Sequence, residues 1–140
     1  MGGIFHMIRG LWVTCRRLFW RPVTIQYPEQ RPYLYPRFRG RHVLARHDDG
    51  LEKCVACGLC AAACPTGAIY VEGAENTEDE RYSRGERYAR LYQVNLLRCI
   101  FCGFCQEVCP TGAVSLGAQF ELAQYTRADQ IVGKDRLLSQ

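Results

Sequence analysis

Eight of the nine cysteines fall into two copies of one pattern. Cys54, Cys57, Cys60 and Cys64 form the first run, Cys99, Cys102, Cys105 and Cys109 the second, and each is closed by a proline, Pro65 or Pro110. A C-x2-C-x2-C-x3-C-P run is the bacterial-type ligand set of a [4Fe-4S] cluster, so two runs imply two [4Fe-4S] clusters and one-electron redox chemistry. The second run repeats the first at an offset of 45 residues, and the match continues through Pro-Thr-Gly-Ala at 65–68 and 110–113. Three cysteines at i, i+3 and i+6 let one tight loop wrap a cubane, each thiolate meeting one iron while backbone N–H groups turn toward the sulfides. Gly58 and Gly103, each just after the second Cys of its run, suit the unusual backbone angles and close approach this requires.

The fourth Cys of each run sits a short helical turn later, and in two-cluster ferredoxins it ligates the other cluster. This assigns Cys54, Cys57, Cys60 and Cys109 to one cluster and Cys99, Cys102, Cys105 and Cys64 to its partner. Other uses of the thiols fit poorly. Structural zinc usually takes two separated ligand pairs, and three thiolates in one loop close awkwardly around a single tetrahedral ion. A disulfide framework belongs to oxidising compartments, and the N-terminus shows neither a continuous apolar h-region nor a small-residue cleavage site. Cys15 lies outside both runs and reads as a small buried hydrophobe on a helix face.

The elements that must position these ligands fit an α+β fold: a duplicated, bacterial-type two-[4Fe-4S] ferredoxin-like domain with an N-terminal amphipathic helix and an extended arm. In 140 residues the expected organisation is helix and arm over 1–48, cluster domain over 49–118 and a C-terminal extension over 119–140. So short a cluster region cannot rely on a large apolar core, and metal binding is expected to supply much of its folding energy. Residues 1–50 hold nine arginines against Glu29, Asp48 and Asp49, net +6, while residues 51–140 are net −2. The formal +4 counts cysteines as neutral, and two oxidised clusters of roughly −2 each with their thiolates bring the loaded protein to about zero.

Ile4, Phe5, Ile8, Leu11, Trp12, Cys15, Leu18 and Phe19 recur at helical spacing, with Arg9, Arg16 and Arg17 off that stripe. The helix is expected to end at Arg21, before Pro22. No apolar run reaches membrane-span length; an amphipathic, Arg-bearing helix suits a bilayer surface or another protein. Residues 22–47 are rich in Pro, Tyr and Arg and read as an extended arm lying against partners. Nucleic-acid binding is not expected, because no recognisable module accompanies these residues. Strands are expected over 69–71, 92–96 and 114–116. Residues 72–87, including Glu75, Glu78, Asp79 and Glu80, read as a solvated insertion. Thr126 and Asp129 offer a capping-box-like start for a short C-terminal helix.

Val55, Ala56, Leu59, Ile100, Phe101 and Phe104 lie between the ligands and are expected to shield the clusters from water. His6, His42 and His47 read as surface or interface histidines, since each cluster already has four ligands.

The flanks narrow the family. Pro36-Arg-Phe-Arg-Gly-Arg-His-Val-Leu44, Asp49-Gly-Leu-Glu-Lys-Cys54, Gly85-Glu-Arg-Tyr88, Asn95 through Pro110 and Phe120-Glu-Leu-Ala123 together resemble the two-[4Fe-4S] ferredoxin-like subunit of respiratory complex I, the proton-pumping NADH:quinone oxidoreductase. The likeness runs from about residue 22 to Asp135, and all eight cysteines carry over. It implies an electron relay with no substrate-converting residues of its own. In that family this subunit receives electrons from an iron-sulfur chain that begins at a flavin and passes them to a terminal cluster that reduces quinone. The implied partners are peripheral-arm iron-sulfur subunits, quinone-site subunits and a membrane-arm subunit, with the N-terminal helix on the membrane surface. With no obvious organelle presequence, a peripheral protein on the cytoplasmic face of a bacterial plasma membrane is expected. The same module serves membrane-bound hydrogenases and formate-oxidising complexes, which is the alternative. A free ferredoxin would have no use for the helix and arm.

Overall fold

A computed structural model describes residues 2–78 and 80–138; Asp79, counted in the polar insertion, lies outside the described residues. The chain divides into two units, the first ending at Tyr33 and the second beginning at Leu34. In the first, the apolar periodicity forms helix α1 (Gly2–Leu18), which ends earlier than Arg21. The backbone turns where Trp20 N–H donates to the Arg17 carbonyl at 3.2 Å. The Arg17 guanidinium then lies 4.4 Å from the centre of the Trp20 ring, placing a cation at the helix C-terminus where the dipole favours it. The apolar stripe is uncovered, with Ile8 60% and Ile4 72% exposed. Cys15 is exposed as well, which corrects its reading as a buried hydrophobe: the face it shares with Trp12 and Phe19 is itself uncovered. No helix among the described residues is long and apolar enough to cross a membrane.

The second unit takes in part of the arm, so its boundary differs from the one expected between residues 48 and 49. Strand β1 (His42–Leu44) pairs antiparallel with β4 (Val114–Leu116), and the pairing continues outward. Gly40 N–H donates to the Gly117 carbonyl at 2.9 Å and Arg41 N–H to the Gln119 carbonyl at 2.8 Å. A Cβ at Gly40 would collide with both of those carbonyl oxygens, so only glycine fits there. Phe38 meets Phe120 edge to face, ring centres 6.4 Å apart. Residues 22–33 of the expected arm are exposed throughout, and beyond them exposure persists at 35–39 while Gly40, His42 and Leu44 are buried.

A second sheet has the order β2 (Ile69–Glu75), β3 (Arg87–Asn95), β5 (Ile131–Gly133), all antiparallel. Helices α2 (Leu59–Ala62) and α3 (Phe104–Glu107) lie within the two cysteine runs, and α4 (Lys134–Leu138) closes the chain. Strands β2 and β4 begin at the expected Ile69 and Val114. The pairing crosses the duplication: β1, before the first run, pairs with β4, after the second, while β2, after the first, pairs with β3, before the second. Neither half can fold away from the other. One core cluster includes Leu44, Ile69, Tyr92, Val94, Val114, Val132 and Leu137, with the side chains of Cys60 and Cys105 among them.

Two expectations change. Thr126 Oγ1 does accept the Asp129 N–H at 3.3 Å, but only a 3-10 turn, Ala128–Gln130, follows. The Gln130 carbonyl accepts Leu96 N–H at 2.9 Å, and this draws the chain onto the edge of β3 as β5. The insertion is solvent-exposed over most of 75–87, as expected, but its ends belong to β2 and β3 and it is pinned at one residue. Ser83 is fully buried, its hydroxyl donating to the Arg87 carbonyl at 2.7 Å and accepting from Asn76 Nδ2 at 3.0 Å. Asn76 Oδ1 in turn accepts Tyr82 N–H at 3.0 Å. Polar side chains here replace backbone partners, so polar sequence is compatible with burial.

Beneath the insertion, the buried Glu52 carboxylate meets Lys134 Nζ at 2.9 Å, and the same ammonium donates to the Ala89 carbonyl at 2.9 Å. Lys134→Met is expected to cost about 3–5 kcal/mol, because it strands a buried carboxylate. Urea unfolding of the iron-loaded chain measures this, and Glu52→Gln added to Lys134→Met is expected to recover most of the loss. A cost below about 1 kcal/mol would place the pair among ordinary surface ion pairs.

Candidate metal centre

The two runs adopt the same backbone. Left-handed φ values at Ala56 (52°), Gly58 (76°) and Gly67 (58°) recur at Phe101 (52°), Gly103 (87°) and Gly112 (60°). For Ala56 and Phe101, which carry a Cβ, this conformation costs about 1–3 kcal/mol each. It turns their N–H groups onto the first sulfur of each run: Phe101 N–H donates to Cys99 Sγ at 3.3 Å, and Ala56 N–H to Cys54.

The Pro-Thr-Gly-Ala repeat acquires a purpose at the fourth cysteines. Cys64 Sγ accepts Ala68 N–H at 3.3 Å and lies 3.6 Å from Thr66 Oγ1. Cys109 Sγ accepts Ala113 N–H at 3.2 Å and lies 3.6 Å from Thr111 Oγ1. Burial raises the pKa of both thiols, but these hydrogen bonds outweigh it and leave both below the ordinary thiol value. At Cys54, Cys60 and Cys99 burial wins and the pKa rises; at Cys105 it is pushed up to about 11.

The thiols gather in two sets. Cys54 is in electrostatic contact with Cys57, Cys60 and Cys109, and Cys60 with Cys57 and Cys109. Cys99 is in such contact with Cys64 and Cys102, and Cys105 with Cys99 and Cys102. The sets approach each other at Cys60 and Cys105, one on α2 and one on α3. A small pocket is lined by Cys64, Cys99, Cys102 and Cys105 together with His42. Among the described residues no three His, Cys, Asp or Glu side chains converge as ligands of one ion. Thiols in two groups of four, with N–H groups on the sulfurs, suit a polynuclear iron-sulfur group with one thiolate per iron.

The expected shield is only partly present. Ala56 is buried, but Leu59, Ile100 and Phe104 are exposed, Ile100 by 62%. With the sulfurs turned inward, the side chains between them turn out. His6 is exposed and His47 half-buried, whereas His42, expected at the surface or an interface, is buried. Its Nε2 lies 3.9 Å from Cys99 Sγ, its Nδ1 has no hydrogen-bond partner among the described residues, and burial lowers its pKa. Opposite it in the fold, the buried Tyr92 hydroxyl donates to Cys60 Sγ at 3.5 Å. Burial pushes that phenol far above its usual pKa, so it stays a donor. Neither contact has a local signature, because both cross between repeats.

A 4Fe-4S dicluster domain family matches residues 53–113. NADH-quinone oxidoreductase subunit 9 and subunit I, from two strains of Thermus thermophilus, are each 55% identical over 132 residues, which is 94% of this chain and 72% of theirs. The chain belongs to the NADH-quinone oxidoreductase subunit I family. The likeness thus extends well beyond the cysteine runs. Among solved structures, a chain of the membrane-bound sulfane sulfur reductase, an archaeal respiratory membrane complex, matches with a TM-score of 0.52 and 32% identity. That match covers 84% of this subunit I chain and 55% of the other.

Proposed function

We propose that this chain is the two-cluster electron relay of a membrane-bound, proton-pumping NADH:quinone oxidoreductase. One set of thiolates is Cys54, Cys57, Cys60 and Cys109, and the other is Cys99, Cys102, Cys105 and Cys64. When bound, each [4Fe-4S] cluster supplies a one-electron carrier. The chain supplies the rest: it fixes the sulfurs, aims N–H groups at them, and brings the two sets together at Cys60 and Cys105. The observation that carries this reading is the crossed architecture of the cysteine sets and strands, inside a chain 55% identical to subunit I proteins along 94% of its length.

No residue here needs to transform NADH or quinone; those steps belong to neighbouring subunits. The exposed Leu59, Ile100 and Phe104 sit beside the cysteine runs, where peripheral-arm and quinone-site subunits would cover them and exclude water. The uncovered apolar face of α1, with Arg9, Arg16 and Arg17, suits a membrane surface beside a membrane-arm subunit, and the reading puts the chain at the membrane periphery, on the cytoplasmic face. Relatives named NADH-quinone oxidoreductase subunits, 55% identical along 94% of the chain, favour this reading over the hydrogenase and formate-complex alternative. The test is capture of the tagged full chain from gently solubilised membranes. A flavin-containing, NADH-oxidising module is expected to come with it; a hydrogenase large subunit without that module would overturn the assignment.

A further inference from the structure

The strands entering the two runs are equivalent by pairing. In β1, His42 faces Leu116 and Leu44 faces Val114; in β3, Tyr92 faces Val71 and Val94 faces Ile69. The 45-residue offset carries Val71 onto Leu116 and Ile69 onto Val114. His42 and Tyr92 therefore occupy the same place in the two halves of the fold. Both are buried, 2% and 1% exposed, and each directs a polar atom at one sulfur, His42 Nε2 at Cys99 and Tyr92 Oη at Cys60.

The chemistry at the two places differs. Tyr92 can only present its O–H to a thiolate. At His42, a lone pair on Nε2 would face the lone pairs of sulfur and would leave Nδ1–H as an orphaned buried donor, since Nδ1 has no partner among the described residues. With the proton on Nε2, the imidazole donates to Cys99 and leaves only an acceptor unmet, which costs less. A donor to a cluster thiolate stabilises the reduced, more negative state more than the oxidised one and raises the reduction potential.

We propose that His42 and Tyr92 are a matched pair of positioning residues that set the two cluster potentials independently, His42 through Cys99 and Tyr92 through Cys60. The proposal rests on the two-cluster reading above. The test is a redox titration of the iron-loaded full chain, followed by electron paramagnetic resonance, with iron counted in every sample. Tyr92→Phe is expected to lower the potential of the Cys60 cluster, shifting its reduced-to-oxidised ratio at fixed potential about tenfold, which is ~59 mV for one electron. The Cys99 cluster is expected to move much less. His42→Met is expected to do the reverse, and His42→Gln, which restores an N–H donor, to return the potential most of the way.

Unmoved potentials with full iron content would overturn the proposal, as would equal shifts of both clusters in either variant. If His42→Met loses its iron, the Tyr92→Phe result decides. An unaltered chain that fails to bind two clusters would sink the underlying reading instead.

Discussion

Cys64→Ala is expected to remove the cluster held by Cys99, Cys102 and Cys105 while sparing the one held by Cys54, Cys57 and Cys60. Cys64 belongs to the first run by sequence, but its electrostatic contact is with Cys99, and it lines the pocket of the second set. Cys109, in the second run, contacts Cys54 and Cys60 instead, so Cys109→Ala is expected to give the mirror result. Iron should fall from about eight to about four per chain in each variant, the stoichiometry of one remaining cubane. The surviving paramagnetic signals should differ between the two variants. Loss of the Cys54, Cys57 and Cys60 cluster in Cys64→Ala would mean that each run holds its own cluster.

Stripping iron from the full chain is expected to unfold the unit that begins at Leu34. Among the described residues its sheets have two and three strands, a small scaffold for a fold of this size without a metal to hold it. Cys60 and Cys105 are part of its apolar centre, so emptying the clusters exposes the core as well as the ligands. Structural metal sites contribute about 10–16 kcal/mol in small zinc domains, comparable to the ~5–15 kcal/mol total stability of a domain. Circular dichroism during chelation should show the strand signal lost with the iron absorbance, leaving at most the helical contribution of α1. A cooperative thermal transition in the iron-free chain at the temperature of the loaded one would contradict this.

What could be read before folding was whatever is encoded locally. Ligand spacing, Gly58 and Gly103, and the starts of β2 and β4 all follow from short runs of neighbours. The rest depends on contacts across the duplication. Strand β5 is three residues long and exists because β3 offers it an edge. Ser83 and Asn76 look like solvated residues until their hydrogen bonds to each other and to backbone are known. The threonines at 66 and 111 could have been found, because they lie in the repeated Pro-Thr-Gly-Ala, whose reuse after each fourth Cys is itself a signal. His42 and Tyr92 could not: their equivalence appears only when the strands are paired, since His42 precedes its run by twelve residues and Tyr92 by seven. The exposed Leu59, Ile100 and Phe104 show the opposite error, in which apolar character beside a ligand suggests an inner lining where the loop turns the side chain out.

The central claim is that eight thiolates hold two clusters that each carry one electron. Iron, acid-labile sulfide and reductive titration of the full-length chain, purified without oxygen, test it together. About eight irons, about eight sulfides and two electrons taken up per chain are predicted. Four irons with one electron, or zinc in a chain without visible absorption, would contradict it.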